Sequence, residues 1–344
     1  MPEEKKVLGF EVVPTDYVFY SRFRPAAKTW GSLIPRFWED KILGPGPMSA
    51  AVNYGLSVFE GMKAFRHESG KIFLFRPKDH AERFSQSARG LLMPPFPEEL
   101  FLEALHLLVA ANAEFVPEYR QGSLYIRPIA YGGDKLGYSL NPDLNFTAAF
   151  WCSPVGNYYT DGLKPISINV ERNITRAMPG GIGYCKASGN YEISRKAQFI
   201  AKQKDCQDAL FLDGKTKKHI EELGAANVFT VKGNVIYTPR LRDTILPGIT
   251  RRSIMTLAKK MLGLKVRERN ITVQQLIGAD EAFASGTAAV ITPIGKIRDG
   301  DNLNIYTIGN GEVGEITRKL YDLFTGIQHG VVKDDFGWLT EVKF

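Results

Sequence analysis

The sequence predicts two α/β lobes, and three observations point to them. The chain has 344 residues, enough for two hydrophobic cores by the usual scaling of domain size. Strand-like and helix-like stretches alternate through both halves. Between the halves, residues 153–162 (SPVGNYYTDG) collect Pro, Gly and Asn without periodicity, as an interdomain connection does. The expected division is a small N-terminal α/β domain over 1–154, a linker over 155–162 and a large C-terminal domain over 163–344.

In the first half, 70–75 (GKIFLF) reads as a strand and 79–91 as a helix. Leu100, Phe101, Ala104, Leu105, Leu108 and Val109 recur at helical spacing over 98–115. The stretches 123–128 (SLYIRP) and 145–151 (NFTAAFW) then return to extended structure. In the second half Asn190 is placed to cap a helix ending near 204, with Ile193, Ala197, Ile200 and Ala201 on one face. Strands at 209–212, 226–231 and 234–237 precede a helix over 250–262, introduced by Leu246-Pro247-Gly248-Ile249. The pattern leaves the strand order open and shows no repeat of solenoid period.

Composition narrows the function classes. An apolar fraction of 44% and a charged fraction of 24% are those of an ordinary globular chain, so no disordered segment is expected. The net charge of +7 is spread along the sequence, its densest run being Lys215-Thr216-Lys217-Lys218-His219, which reads as a solvated turn. A modest positive field suits small anions, and neither a nucleic-acid nor a membrane partner is expected. Three cysteines show neither a pairing framework nor metal-ligand spacing, which predicts a reducing compartment, the cytoplasm, and no metal site. The N-terminus has no apolar signal core, and no apolar run reaches membrane-spanning length; removal of an organellar presequence stays open.

Four segments carry chemistry. Lys186 stands in Gly183-Tyr184-Cys185-Lys186-Ala187-Ser188-Gly189-Asn190-Tyr191, a setting with backbone room for a cofactor ring. A desolvated lysine there can attack a carbonyl and form a Schiff base; a solvated turn lysine is the alternative. In Glu221-Glu222-Leu223-Gly224-Ala225-Ala226-Asn227, one carboxylate facing inward would keep a pyridine nitrogen protonated, whereas two solvated glutamates would do nothing. Leu246-Pro247-Gly248-Ile249-Thr250-Arg251 opens a helix whose free amides and Thr250 hydroxyl suit a phosphate, the alternative being a Pro-Gly turn with a capping threonine. Ser285-Gly286-Thr287-Ala288 ends a strand in a small-residue turn that can nest an anion or simply pack tightly.

Taken in that order, these segments resemble the fold-type IV pyridoxal-phosphate-dependent aminotransferases. Within that group Tyr54-Gly55-Leu56-Ser57-Val58-Phe59-Glu60-Gly61-Met62-Lys63-Ala64-Phe65 and Leu124-Tyr125-Ile126-Arg127-Pro128 are similar to the branched-chain amino acid aminotransferases, over about residues 53–330. The resemblance implies an α/β two-domain enzyme with pyridoxal 5′-phosphate in the interdomain cleft and Lys186 as the Schiff-base lysine and proton shuttle. It implies Tyr191 at the phenolic oxygen and Glu222 at the ring nitrogen. The phosphate would meet the Ile249 and Thr250 amides, the Thr287 side chain and Arg83, which otherwise reads as an ordinary helix arginine.

For the substrate, the resemblance implies turn amides at Thr287 and Ala288 for the α-carboxylate. It implies a side-chain pocket from Phe59, Tyr125, Tyr158 and the partner subunit's Tyr54, with Arg127 for the distal carboxylate of glutamate. From pattern alone, Tyr125 and Arg127 are simply strand residues. The implied reaction is ping-pong transfer from L-leucine, L-isoleucine or L-valine to 2-oxoglutarate by at least a homodimer, with amino acids and 2-oxo acids as its small-molecule partners. Ala289-Val290-Ile291-Thr292 replaces the Cys-x-x-Cys that some relatives carry, so no thiol switch of that kind is expected. D-amino acid aminotransferases and aminodeoxychorismate lyases share the fold and are the nearest alternatives. A more distant one is a dinucleotide-binding oxidoreductase, because Gly309-Asn310-Gly311-Glu312-Val313-Gly314 matches G-x-G-x-x-G, follows a strand-like stretch and has Asp334 twenty residues on. Too few residues follow it for a nucleotide-binding domain; a strand, a turn and a closing helix through Ile316, Leu320, Leu323 and Phe324 is the plainer reading.

Overall fold

The structure, a computed structural model, describes residues 8–38, 44–133, 144–156, 163–300 and 304–344. The chain divides into two units, Met1–Thr160 with Gly326–Phe344, and Asp161–Thr325.

The first unit begins with β1 (Tyr17–Arg24), β2 (Thr29–Trp30), β3 (Ile34–Phe37), α1 (Ala50–Tyr54), β4 (Ser57–Phe59), β5 (Met62–Arg66) and β6 (Ile72–Phe75). Helices α2 (Pro77–Gly90) and α3 (Glu98–Ala111) follow, then β7 (Ser123–Gly132) and β8 (Phe146–Val155). Pro77 opens α2 at a position where no intrahelical N–H is needed. The apolar stripe of α3 buries Phe101, Leu105 and Leu108 completely, together with Phe84 of α2. They pack with Met62, Ala64, Leu124, Ile126, Phe150 and Cys152 from the sheet. Each such aromatic or aliphatic side chain contributes about 1.5–3 kcal/mol on leaving water. Strand periodicity sends the intervening residues to the opposite face. There Lys63 lies across from Tyr125, and Arg127 across from Trp151.

The second unit holds β9 (Ile166–Glu171), α4 (Gly189–Lys202), β10 (Asp208–Leu212), β11 (Ile220–Leu223), β12 (Asn227–Lys232) and β13 (Val235–Pro239). It continues with α5 (Ile249–Lys260), β14 (Lys265–Arg269), α6 (Val273–Ile277), β15 (Glu281–Gly286), β16 (Val290–Asp299), β17 (Ile305–Thr307) and most of α7 (Glu315–Gln328), which from Gly326 belongs to the first unit. Its strands run β11-β10-β9-β16-β15-β12-β13-β14, and β11 also pairs with β12, closing six of them into a ring. The closing pair is Glu222 opposite Asn227, and Asn227 in turn lies opposite Ser285. One cross-strand row therefore carries a carboxylate, an amide and a hydroxyl on one face.

The last strand, β18 (Leu339–Val342), pairs antiparallel with β6 and so belongs to the first unit. The expected second domain of 163–344 thus ends sooner: the α7 pattern reads clearly, but nothing in it signals that the chain then returns to cover the β6 edge. Of the expected linker 155–162, Val155 ends β8, and 157–162 lie outside the described residues.

The dinucleotide reading fails on topology. The glycine motif follows β17, which is an antiparallel partner of β16 and not the parallel strand that the fingerprint requires. The N-terminus of α7 is already satisfied, since the Glu281 carboxylate accepts the Ile316 and Thr317 amides and the Thr317 hydroxyl. Asp334 accepts the amides of Phe336 and Leu339 within its own turn.

Candidate active site

In the second unit Lys186 stands just before α4, and its Nζ donates to Tyr191 Oη at 2.8 Å. The loop is held by Asn190, which is not the helix cap that its type suggested. Its amide Nδ2 donates back to the carbonyls of Ile182 (2.9 Å) and Cys185 (3.0 Å). The Asn190 side chain thus fixes the lysine loop, and α4 starts after Ser188 with no side-chain cap.

The Glu221-Glu222 pair is buried, which excludes two solvated glutamates. Glu222 Oε1 accepts Arg176 Nη1 at 2.7 Å and the Leu246 amide at 3.2 Å, while Oε2 accepts Asn227 Nδ2 at 3.3 Å. Burial pushes its acid up to about 7 against the opposing charge of Arg176. Glu221 receives the Thr244 hydroxyl at 2.6 Å, and burial raises its acid as well.

Helix α5 begins at Gly248 with no side-chain cap, so the amides of Ile249 and Thr250 lack the usual acceptor at the positive end of the helix. Gly248 is glycine for space, because a Cβ there would collide with Asn227 Oδ1. Asn227 in turn donates to the Leu246 carbonyl at 3.0 Å, tying the approach to this helix to the Glu222 row. Thr287 and Ala288 lie half-buried in the turn after β15, beside the buried Ser285. The second unit thus carries Lys186 bonded to Tyr191, the buried Glu222, and amide-bearing turns at Ile249, Thr250, Thr287 and Ala288.

In the first unit Phe59, Tyr125 and Arg127 share one sheet face. The Arg127 guanidinium carbon lies 4.7 Å from the Phe59 ring centroid, 5.3 Å from Tyr125 and 5.6 Å from Trp151. Arg127 Nη2 donates to Tyr125 Oη at 2.8 Å. Beside them an apolar cavity of about 580 Å³ is lined by Trp38, Val52, Ile129, Tyr131 and Trp151. Arg83, on α2, is buried and forks onto Glu60, with Nε to Oε1 at 2.7 Å and Nη2 to Oε2 at 2.8 Å; His80 Nδ1 lies 2.7 Å from Oε2. The two partners hold the buried Glu60 carboxyl well below the usual range despite its burial. Tyr54 ends α1 half-exposed, and Tyr158 lies outside the described residues.

Sequence reasoning missed Arg176, Lys63 and the Glu60–His80 pairing. Lys63 is buried across from Tyr125, its Nζ 5.9 Å from the Phe10 ring, and burial pushes its ammonium down to about 8. Nothing local marks Arg176, which lies in an irregular loop. Strand alternation in β5 puts Lys63 on the face that the structure pairs with Tyr125, a register that the sequence reading did not give.

The donor set fits pyridoxal 5′-phosphate. The second unit supplies an amine, a phenol five residues on, a buried acid and an uncapped helix start. Ser285 Oγ and Arg176 Nε are among six buried side-chain polar atoms with no protein partner among the described residues. Among those residues no group of His, Cys, Asp and Glu is arranged to hold a metal ion.

A model of the class IV amino-transferases matches residues 57–297. Branched-chain-amino-acid aminotransferase 2 of Bacillus subtilis (strain 168) is 42% identical over 342 residues, covering 97% of this chain and 92% of that one. Among solved structures, the branched-chain amino acid aminotransferase of Escherichia coli superimposes with a TM-score of 0.81 at 31% identity, over 96% of this chain and all of that one. The pyridoxal-phosphate form of the enzyme from Thermobaculum terrenum gives 0.80 at 27% identity, over 96% and 99%. With a family model matched over most of its length and near-full-length relatives, the chain belongs to the class IV aminotransferases and, within them, to the branched-chain amino acid aminotransferases.

Proposed function

We propose that this transaminase moves the amino group of L-leucine, L-isoleucine or L-valine to 2-oxoglutarate in two half-reactions at one site, with Lys186 as its acid-base centre. The observation that carries the reading is the 2.8 Å contact of Lys186 with Tyr191, in the unit that also buries Glu222. Pyridoxal 5′-phosphate, when bound, supplies the electron sink that makes the substrate α-proton acidic. Lys186 Nζ takes that proton and returns one to the product, and Tyr191 Oη orients the amine. Glu222 holds a proton at the ring nitrogen. The first-turn amides of α5 at Ile249 and Thr250, with Thr287 and Arg83, hold the phosphate. Thr287 and Ala288 meet the α-carboxylate.

Two substrate classes need one pocket with two characters. Phe59, Tyr125 and Trp151 give apolar surface, while the Arg127 guanidinium among those rings is a planar donor for the distal carboxylate of glutamate. A second copy of the chain completes the pocket through its Tyr54, a role favoured by the exposure of Met48, Val52 and Tyr54 on and beside α1. The three unpaired, buried cysteines favour a reducing compartment such as the cytoplasm, and no helix among the described residues is long and apolar enough to cross a membrane.

The test is visible absorption of the cofactor-loaded protein before and after L-leucine, with D-alanine in parallel. Loss of the cofactor band with L-leucine alone is expected. A response to D-alanine alone would transfer the assignment to D-specific relatives.

A further inference from the structure

We propose that Arg176 is a positioning residue that sets the charge and orientation of Glu222 toward the cofactor ring nitrogen. This inference rests on the assignment of Glu222 above. Arg176 sits ten residues before Lys186, in the irregular stretch between β9 and α4, and is buried. Its Nη1 lies 2.7 Å from Glu222 Oε1 and 3.4 Å from the Thr244 carbonyl.

The two oxygens of Glu222 are unequally supplied. Oε1 takes both Arg176 and the Leu246 amide, whereas Oε2 has, among the described residues, only the 3.3 Å contact with Asn227. The carboxylate plane is thereby fixed, and Oε2 is the oxygen left with capacity for a ring N–H. Its charge is contested as well. Glu222 is enclosed by protein, and Glu221 beside it is also buried, so desolvation and a neighbouring acid both favour the neutral form. Arg176 is the principal opposing charge. Thr244 ties the arrangement together: its hydroxyl engages Glu221 and its carbonyl receives Arg176. Without Arg176 the proton shared with the ring nitrogen moves toward Glu222, and a charge-assisted hydrogen bond becomes a neutral one.

The discriminating measurement is equilibrium affinity of the cofactor-free protein for pyridoxal phosphate and for its analogue with C–H in place of the ring nitrogen, followed by fluorescence quenching. The native protein should prefer the natural cofactor by about ten- to a hundredfold, the range of a hydrogen bond to a charged group. In Arg176→Gln that preference should fall to within about threefold, with affinity for the analogue unchanged, and Arg176→Lys should restore most of it. A purely structural role would weaken both ligands alike, and a folded Arg176→Gln that keeps the native preference overturns the inference. Glu222→Gln separates the two claims. If it keeps the preference, the assignment of Glu222 itself is wrong; if it loses the preference while Arg176→Gln keeps it, only the role of Arg176 is wrong. Should Arg176→Gln not fold, Arg176→His decides by comparison at pH 6 and pH 8.5. A preference that falls with loss of the imidazolium, beyond any change in the native protein, supports the inference, and one that tracks the native protein overturns it.

Discussion

Replacing Gly61 by alanine tests the pocket through a single methyl group. Gly61 does not occupy the left-handed region, so its backbone accepts alanine and only space is at issue. A Cβ at this position collides with Tyr125 Oη and comes within 3.0 Å of Cζ and 3.3 Å of Cε2. Carbon atoms prefer about 3.5–4.0 Å, so the ring must retreat by roughly 0.5–1 Å. Tyr125 has little freedom to do so: it is 7% exposed, and its ring lies 5.3 Å from that of Phe10. Overpacking of this kind costs about 1–3 kcal/mol of stability. The retreat also loosens the 2.8 Å hydrogen bond from Arg127, and bonds to charged groups contribute about 1.5–3 kcal/mol. If Arg127 and Tyr125 together receive the distal carboxylate, kcat/KM for glutamate and 2-oxoglutarate should fall about ten- to a hundredfold, with leucine affected less than about fivefold. Single-turnover kinetics of each half-reaction would read this directly. A folded Gly61→Ala protein with unchanged kinetics toward the acidic pair refutes the reasoning, as does an equal loss on leucine.

Lys186→Ala should lower turnover by at least about a thousandfold while leaving the circular dichroism unchanged, because it removes both the nucleophile and the proton carrier. Glu222→Gln should flatten the pH dependence of stability of the cofactor-free protein. Burial raises the folded Glu222 to about 7 from an ordinary 4.5, so the folded state keeps a proton that the unfolded state releases. Stability from this group is therefore lost as pH rises from about 4.5 to 7, by about 3 kcal/mol, and is level above that. Denaturant titrations at pH 5 and pH 8 on both proteins isolate the difference, since groups such as His329, shifted the opposite way by burial, are common to both. Glu60→Gln should destabilise the protein by about 3–5 kcal/mol, because it leaves Arg83 buried without its carboxylate. A loss below about 1 kcal/mol would mean that water or another group compensates Arg83.

What was legible in the sequence follows from the range of the interactions involved. Lys186 and Tyr191 are five residues apart, and the α5 turn is contiguous, so local pattern located both. Tyr125 and Arg127 were legible as strand residues, and period-two alternation alone puts them on one face, whereas Lys63 reaches that face through the β5–β7 register, which alternation does not give. Arg176 reaches Glu222 across 46 residues of chain, through an irregular loop with no periodicity to read. Asn190 misled because its type favours two competing local roles, and its amide donates to the carbonyls of Ile182 and Cys185. The return of β18 to β6 is a non-local pairing that propensity cannot anticipate.

The charges of the two units suit the reaction in different ways. The second unit buries two adjacent acids against one arginine, an arrangement short of positive charge, which a protonated ring nitrogen would supply under the proposed role of Glu222. The first unit does the reverse on its aromatic face, where Arg127 and Lys63 have no carboxylate partner among the described residues. Their guanidinium and ammonium lie against rings, which stabilise a cation without neutralising it. A protein built for stability alone would pair these groups, as this one pairs Arg83 with Glu60. Under the proposed function, such cations would favour a substrate with a distal carboxylate, while the same rings would meet an aliphatic side chain. On that proposal, a cation kept among aromatic rings would let one face serve both substrate classes, available to one and shielded from the other.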